Sequence, residues 1–163
     1  MKITRKQSRL GPSRRTLLVS LALGALLLPV SFDDRPEAQE GPAYKVVVNV
    51  ANPATAESKS TLSKIFLKKV REWDNKDKVN PYDLDEKSEA RKAFSDAIHG
   101  KSVSAIKSYW QRMIFSGRDV PPDEIASEAD LLKKVAADKG AIGYVAAKTP
   151  LPDGVKELKV KDE

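Results

Sequence analysis

Short β-branched runs alternate with segments of helical period along this chain, and that alternation limits the fold more than any other feature. Residues 44–50 (YKVVVNV) and 141–146 (AIGYVA) show no regular exchange of apolar and polar positions, as expected of strands covered on both faces. Several segments between them carry apolar residues at positions i, i+3 and i+4. The alternation predicts an α/β domain whose mixed or parallel sheet is flanked by helices.

Serine and glycine mark the ends of the remaining elements. A serine hydroxyl before a first helical turn accepts a hydrogen bond from a free N–H, and glycine adopts the left-handed turn that ends a helix. Two further strands are predicted: one over residues 78–83, after a turn, and one over residues 155–160, after Gly154. Helices are predicted to begin near Ser60, within residues 84–94 (LDEKSEARKAF), at Ser102 and at Ser127, with stops at Gly100 and Gly140. Eight periodic apolar residues form the predicted core: Phe66, Phe94, Ile98, Ile106, Trp110, Leu131, Val135 and Ile142.

Composition excludes several kinds of site. The chain has no cysteine, which removes disulfides, thiolate metal sites and a cysteine nucleophile. Its single histidine, His99, cannot build a histidine metal cluster. His99 stands in the last turn before Gly100, where a cation favours the helix dipole, so a structural or surface role is expected. No nucleophile elbow or glycine-rich phosphate loop occurs, and we expect no catalytic residue, metal or cofactor, and no enzyme.

The net charge is +6, from 29 Lys and Arg against 23 Asp and Glu, without a run of five or six like charges. Such a mild balance does not predict nucleic-acid binding.

The N-terminal segment has the pattern of an export signal. Residues 2–15 are basic and carry no acid, and residues 17–30 form an apolar run of 14 residues, shorter than the roughly 20 that span a membrane. Arg14 and Arg15 resemble a twin-arginine signal, and an ordinary export signal explains them equally well. We predict an export signal over residues 1–31, a flexible lead-in over 32–43, a domain over 44–163 and a periplasmic location.

Residues 84–94 raise the question of an anion site. A helix start offers free N–H groups to an anion, and Ser88 stands at this one. Asp85, Glu86 and Glu89 would repel an anion there, while acidic residues in a first turn are what the helix dipole selects. The segment therefore favours a capped helix over a phosphate cradle.

Several motifs come in an order that resembles the phosphate-transporter type of periplasmic substrate-binding protein, over most of residues 45–148. The more specific ones are Tyr109-Trp110 with Phe115-Ser116-Gly117, and Gly140-Ala141-Ile142-Gly143-Tyr144-Val145; the weaker ones are Ile65-Phe66-Leu67, Trp73, Val79-Asn80-Pro81-Tyr82-Asp83, Arg91-Lys92-Ala93-Phe94 and Pro121-Pro122. The resemblance implies a fold of the type II periplasmic-binding-protein class. The full family clamps its ligand between two lobes, and this chain has room for about one, matching the second half.

The family's anion turn, Arg-x-x-Gly-Ser-Gly-Thr, is changed in this chain. Only Ser88 is retained, and the other four positions hold Leu84, Lys87, Glu89 and Ala90. A close backbone approach to phosphate favours glycine, and Glu89 adds both bulk and negative charge. A weak site for phosphate or another small anion would use Ser88 with Lys87 and Arg91 beside it.

Two functions agree with this resemblance. One is an exported substrate-binding-like module, related to phosphate ABC transporter receptors, with a degenerate anion site and a transporter permease or envelope protein as partner. The other is an interaction or adaptor domain of the periplasm or cell envelope that has kept the lobe fold and lost its ligand.

Overall fold

The computed structural model describes residues 43–162. The predicted export signal and almost all of the lead-in lie outside the described residues. The strands are β1 (Tyr44–Asn49), β2 (Ala56–Ser58), β3 (Asn80–Leu84), β4 (Asp123–Ile125), β5 (Ala141–Ala146) and β6 (Val155–Lys161). The helices are α1 (Lys59–Phe66), α2 (Glu89–Phe94), which continues into a π-helical turn (Ser95–His99), α3 (Val103–Phe115) and α4 (Glu128–Ala137).

The six strands form one mixed sheet in the order β2-β6-β1-β5-β3-β4. Central strand β1 pairs antiparallel with both β5 and β6. Strand β3 pairs parallel with β5 and β4, and β2 pairs parallel with β6. The predicted α/β class, with a mixed sheet flanked by helices, is confirmed.

The core lies between the sheet and the helices. Val46, Val47 and Val48 of β1 are fully buried, as expected of a strand covered on both faces. An aromatic group packs beside them: the ring of Phe94 stacks on that of Tyr144 at 4.0 Å between centroids and lies 4.6 Å from that of Phe66. All eight residues of the predicted core are buried.

The helix starts follow the predicted serine signals with one correction. Ser88, Ser102 and Ser127 each accept a hydrogen bond from the backbone N–H three residues on. The cap of α1 is Ser58 instead of Ser60, because Ser58 ends β2 in an extended conformation and its hydroxyl reaches the N–H of Thr61. Gly100 has a φ of +60°, the left-handed value that ends the π-helical turn.

Two glycines of the GAIGYV run lie in close packing that a side chain would disturb. A Cβ at Gly140 would lie 2.1 Å from the carbonyl oxygen of Lys78, and one at Gly143 would lie 2.6 Å from a methyl carbon of Leu131. The first contact brings β5 against the entry to β3, and the second lets α4 lie close on the sheet. Glycine is thus fixed here by close packing.

The apolar face of helix α3 is only partly covered. Ile106 and Trp110 are buried, whereas Met113 is only half-buried and Ile114 is 49% exposed. The indole N–H of Trp110 has no hydrogen-bond partner among the described residues. No helix of the described residues is long and apolar enough to cross a membrane.

Candidate functional site

The turn between β3 and α2 is the place where the resemblance puts an anion. The N–H of Lys87 donates to Oδ1 of Asp85 at 2.9 Å, and the N–H of Ser88 donates to the Asp85 carbonyl oxygen at 2.9 Å. The hydroxyl of Ser88 accepts from the N–H of Arg91 at 3.4 Å. Three donors that an anion would need are therefore already bonded to acceptors of the turn itself.

Arg91 points into the protein. The residue is only 8% exposed, and its Nη1 lies 2.7 Å from Oδ1 of Asp83 while also donating to the carbonyl oxygen of Leu84. Both acceptors belong to the end of β3, so the guanidinium joins the helix to the strand. Its charge is balanced by a carboxylate before any ligand arrives.

Asp83 is the centre of a buried polar cluster that the sequence analysis did not identify. Its carboxylate accepts from the Tyr144 hydroxyl and from the N–H of Leu84. Burial raises the pKa of Asp83 to about 6, against the opposing effects of the Arg91 charge and the Tyr144 hydrogen bond. Burial, and next the neighbouring Asp83, also raise the pKa of Tyr144, which stays a hydroxyl donor. The cluster fixes the β3 end against β5.

A signal for this cluster was present in the sequence. Arg91 stands three residues before Phe94 and seven before Ile98, and both of those belong to the buried face. An arginine at a buried helical position needs an acceptor partner, and Asp83 is the nearest preceding acid within a strand. Reading the period through Arg91 would have predicted an inward ion pair.

The exposed side of the turn carries mixed charge. Lys87 is exposed and forms no ion pair with the described residues. Glu86 pairs with Lys107 at 2.7 Å, and Glu89 pairs with Lys92 at 2.7 Å. Surface pairs of this kind contribute little to stability, yet they keep two carboxylates beside Ser88.

His99 corrects an expectation about charge. Burial, with a smaller effect of the Arg91 charge, lowers the pKa of His99 to about 4, so the ring is neutral at pH 7 and does not act as a cation at the helix end. Its Nδ1 lies 2.9 Å from the hydroxyl oxygen of Ser63, and its ring meets that of Phe94 edge-on. His99 thereby ties α1 to the π-helical turn, which is a structural role.

The main clefts of the described residues lie away from the turn. Four surface clefts of about 250 to 440 Å³ in the described part of the chain are not lined by Lys87, Ser88 or Arg91. Within residues 43–162, no group of three or more histidine and acidic side chains is arranged to hold a metal ion.

Comparison with solved structures identifies the fold. An ABC-type phosphate transport receptor from Vibrio cholerae matches with a TM-score of 0.57 and 17% identity, over 72% of this chain and 46% of the receptor. PstS from Borrelia burgdorferi matches with a TM-score of 0.56 and 17% identity, over 73% and 47%. A protein of Planctomyces limnophilus described as a possible phosphate binding protein has a TM-score of 0.54 and 20% identity, over 74% and 42%.

Sequence comparisons are silent by contrast: no family model matches the chain, and no curated protein matches it either. The chain spans less than half the length of the solved structures it resembles. Residues 43–162 therefore share their fold with part of the phosphate transport receptors.

Proposed function

We propose that this chain is an exported, single-lobe module of the substrate-binding type that holds phosphate or a similar small anion weakly or not at all. The observation that carries the proposal is the occupied turn. The N–H groups of Lys87 and Ser88 donate to Asp85, and Arg91 is paired with Asp83. A phosphate would have to displace these bonds next to Glu86 and Glu89 before gaining its own.

The partial coverage of the compared receptors acts in the same direction. Receptors of the resembling family enclose their ligand between two lobes, and the match reaches only 42–47% of the compared structures. An anion on one open surface keeps most of its contact with water and is screened by salt. Lys87 is the single cation of the turn left free to meet it, since Arg91 is committed inward.

Isothermal titration of phosphate at low salt, with sulfate as a second anion, tests the proposal. We expect a dissociation constant near or above about 1 mM, equivalent to about 4 kcal/mol. Micromolar binding of phosphate would overturn the degenerate site and support a receptor role. Leu84 is 1% exposed, so an arginine restored there would bury a charge, and the variants leave this residue unchanged.

A double variant tests whether the occupied turn or the open surface contributes more to weak phosphate binding. Asp85→Ala frees the N–H of Lys87, and Glu89→Gly removes a charge and restores the family's glycine. The matched control, Asp96→Ala with Asp153→Ala, removes two exposed acids elsewhere. Tighter phosphate binding by the first variant alone would assign the weakness to the turn. Equal binding by both would assign it to the openness of a one-lobe surface.

Export is the second part of the proposal. The basic flank and the 14-residue apolar run support removal of residues 1 to about 31–38. Mass spectrometry of the chain recovered from the periplasm measures the new N-terminus, and an intact Met1 would contradict removal. Arg14→Lys with Arg15→Lys should block export by the twin-arginine route and leave the general route unaffected.

An adaptor domain remains the second candidate function, with an envelope protein or a transporter permease as partner. Phe115 is 89% exposed at the end of α3, and a large aromatic side chain is a typical anchor of a protein interface. Absence of any phosphate heat together with copurification of the chain with a permease would favour this candidate.

A further inference from the structure

The end of helix α3 presents a projecting apolar surface. Ile114, Phe115 and Val120, here called the apolar tip, are 49%, 89% and 58% exposed. Gly117 turns the chain between them with a φ of +66°, and no atom lies within 4 Å of the place where its Cβ would stand. The tip is therefore exposed at the surface of the described domain, with open space beside Gly117.

Cations surround the apolar tip. Nζ of Lys68 donates to the carbonyl oxygen of Pro121 at 3.0 Å, and Nη2 of Arg71 lies 2.6 Å from Oδ2 of Asp119. These two bonds hold the basic loop of residues 67–71 (LKKVR) against the segment that carries Val120. Leu67 of this loop also lines one cleft together with Lys101 and Arg112.

Four cations near the apolar tip lack an acidic partner among the described residues. Lys68, Lys69, Arg112 and Arg118, here called the basic collar, form no ion pair with any of residues 43–162. The acid nearest in sequence, Asp119, is already neutralised by Arg71.

Two further acids lie near the collar: Asp123 of β4 lines a cleft with Lys68, and Glu72 lines another with Lys69. Neither forms an ion pair with a collar residue, and the four cations outnumber these two acids.

We infer that this end of the domain docks on the surface of an anionic lipid bilayer. An exposed Phe and Ile insert among acyl chains near the headgroups, and the collar meets lipid phosphates. A tip of three side chains is small beside the roughly 800 Å² that each partner contributes to a stable protein interface. A small exposed apolar patch beside unpaired cations fits an anionic bilayer better than a protein groove. The inference uses no residue of the β3–α2 turn, and it assigns Phe115 to a bilayer in place of the protein partner of the adaptor candidate.

Vesicle flotation tests this inference on a chain that begins at Phe32, which retains the whole core and lacks the apolar run of residues 17–30. Binding is expected to vesicles that contain phosphatidylglycerol, not to phosphatidylcholine alone, and to fall as salt rises. Phe115→Ser should weaken binding by about tenfold or more, since it removes the aromatic side chain that would be buried in the bilayer. Arg112→Gln with Arg118→Gln should also weaken it by about tenfold or more.

Matched controls remove the same groups elsewhere. Val50→Ser changes another exposed apolar residue, and Lys148→Gln with Lys159→Gln removes two exposed cations. Both controls should bind as the unchanged chain does. Failure to float with phosphatidylglycerol vesicles overturns the inference. So does a Phe115 variant or an arginine variant that behaves like its control, or capture of an acidic protein in preference to vesicles.

Discussion

Helices α2 and α3 are neighbours in the chain and carry the same kind of apolar pattern, yet the protein treats them differently. The apolar face of α2 and its π-helical turn is closed, with Ala90, Phe94 and Ile98 all buried. The face of α3 is closed only at Ile106 and Trp110, and its last turn is open. A helical period reports that a face is apolar. Whether the same chain covers that face depends on elements far away in sequence.

One arginine on each helix shows the same difference in burial. Arg91 on α2 is buried against Asp83, whereas Arg112 on α3 is exposed and has no acidic partner among the described residues. One is part of the frame of the domain, and the other is available to a partner.

Truncating an aromatic residue in each region should produce the largest contrast. Phe94→Ala removes a ring packed against Phe66 and Tyr144, and we expect a loss of about 3–5 kcal/mol in the free energy of unfolding. Phe115→Ala, at 89% exposure, should change it by no more than about 0.5 kcal/mol. Chemical denaturation measures both, and equal losses would show that the two faces are packed alike.

Removing one arginine from each region should give the next contrast. Arg91→Ala leaves the buried carboxylate of Asp83 without its cation and should cost about 3 kcal/mol. Arg112→Ala should stay within about 0.5 kcal/mol. The double variant Asp83→Asn with Arg91→Met should recover part of the loss, because no uncompensated charge remains. A double variant less stable than Arg91→Ala would refute the ion-pair account.

The pH dependence of stability separates Asp83 from His99 within the closed region. The raised pKa of Asp83 gives a contribution that is full below its ordinary value of 3.8 and is lost as pH rises through about 6. The lowered pKa of His99 gives a contribution that is full above 6.5 and is lost as pH falls through about 4. The two oppose each other across nearly the same window.

Single variants should reveal the two slopes. In Asp83→Asn, stability should rise between pH 4 and pH 6.5, and in His99→Gln it should fall between pH 4 and pH 6, each by on the order of 2 kcal/mol. The unchanged chain should be flatter than either variant. Denaturation midpoints across this range measure the effect, and identical profiles for all three chains would contradict it.

The two glycine turns that bound α3 should give the smallest effects. Gly100 and Gly117 have φ of +60° and +66°, and a Cβ at either meets no neighbour within 4 Å. Alanine at either place therefore costs only backbone strain, about 1 kcal/mol. A much larger loss for Gly117→Ala would mean that the end of α3 is packed against something in solution.

Much of the fold could be predicted because local signals agreed with the final packing. The buried strands β1 and β5 and the caps Ser88, Ser102 and Ser127 depend on residues within one turn or one run. Strands β2 and β4 were missed because three residues are too short to show a period, and each exists only through a partner elsewhere in the sheet.

The candidate site was harder to predict than the fold. Sequence position placed Ser88, Lys87 and Arg91 together, and the structure does keep them in one turn. It could not reveal that Asp85 occupies the N–H groups, since that depends on side-chain direction. The inward turn of Arg91 could have been predicted from the helical period that Arg91 shares with Phe94 and Ile98. The Asp83–Tyr144 bond joins residues 61 positions apart and left no local trace.

The position of β1 at the centre of the sheet has a consequence for the synthesis of the protein on the ribosome. Its two partner strands, β5 and β6, begin about a hundred residues later in the chain. At ribosomal rates this separates the emergence of β1 from that of β6 by about 5–20 s. For most of that interval neither partner strand has been synthesised, so the buried valines of β1 have no sheet to pack in. The nascent chain therefore exposes an aggregation-prone apolar segment until β6 has been synthesised, and we expect a chaperone to protect it.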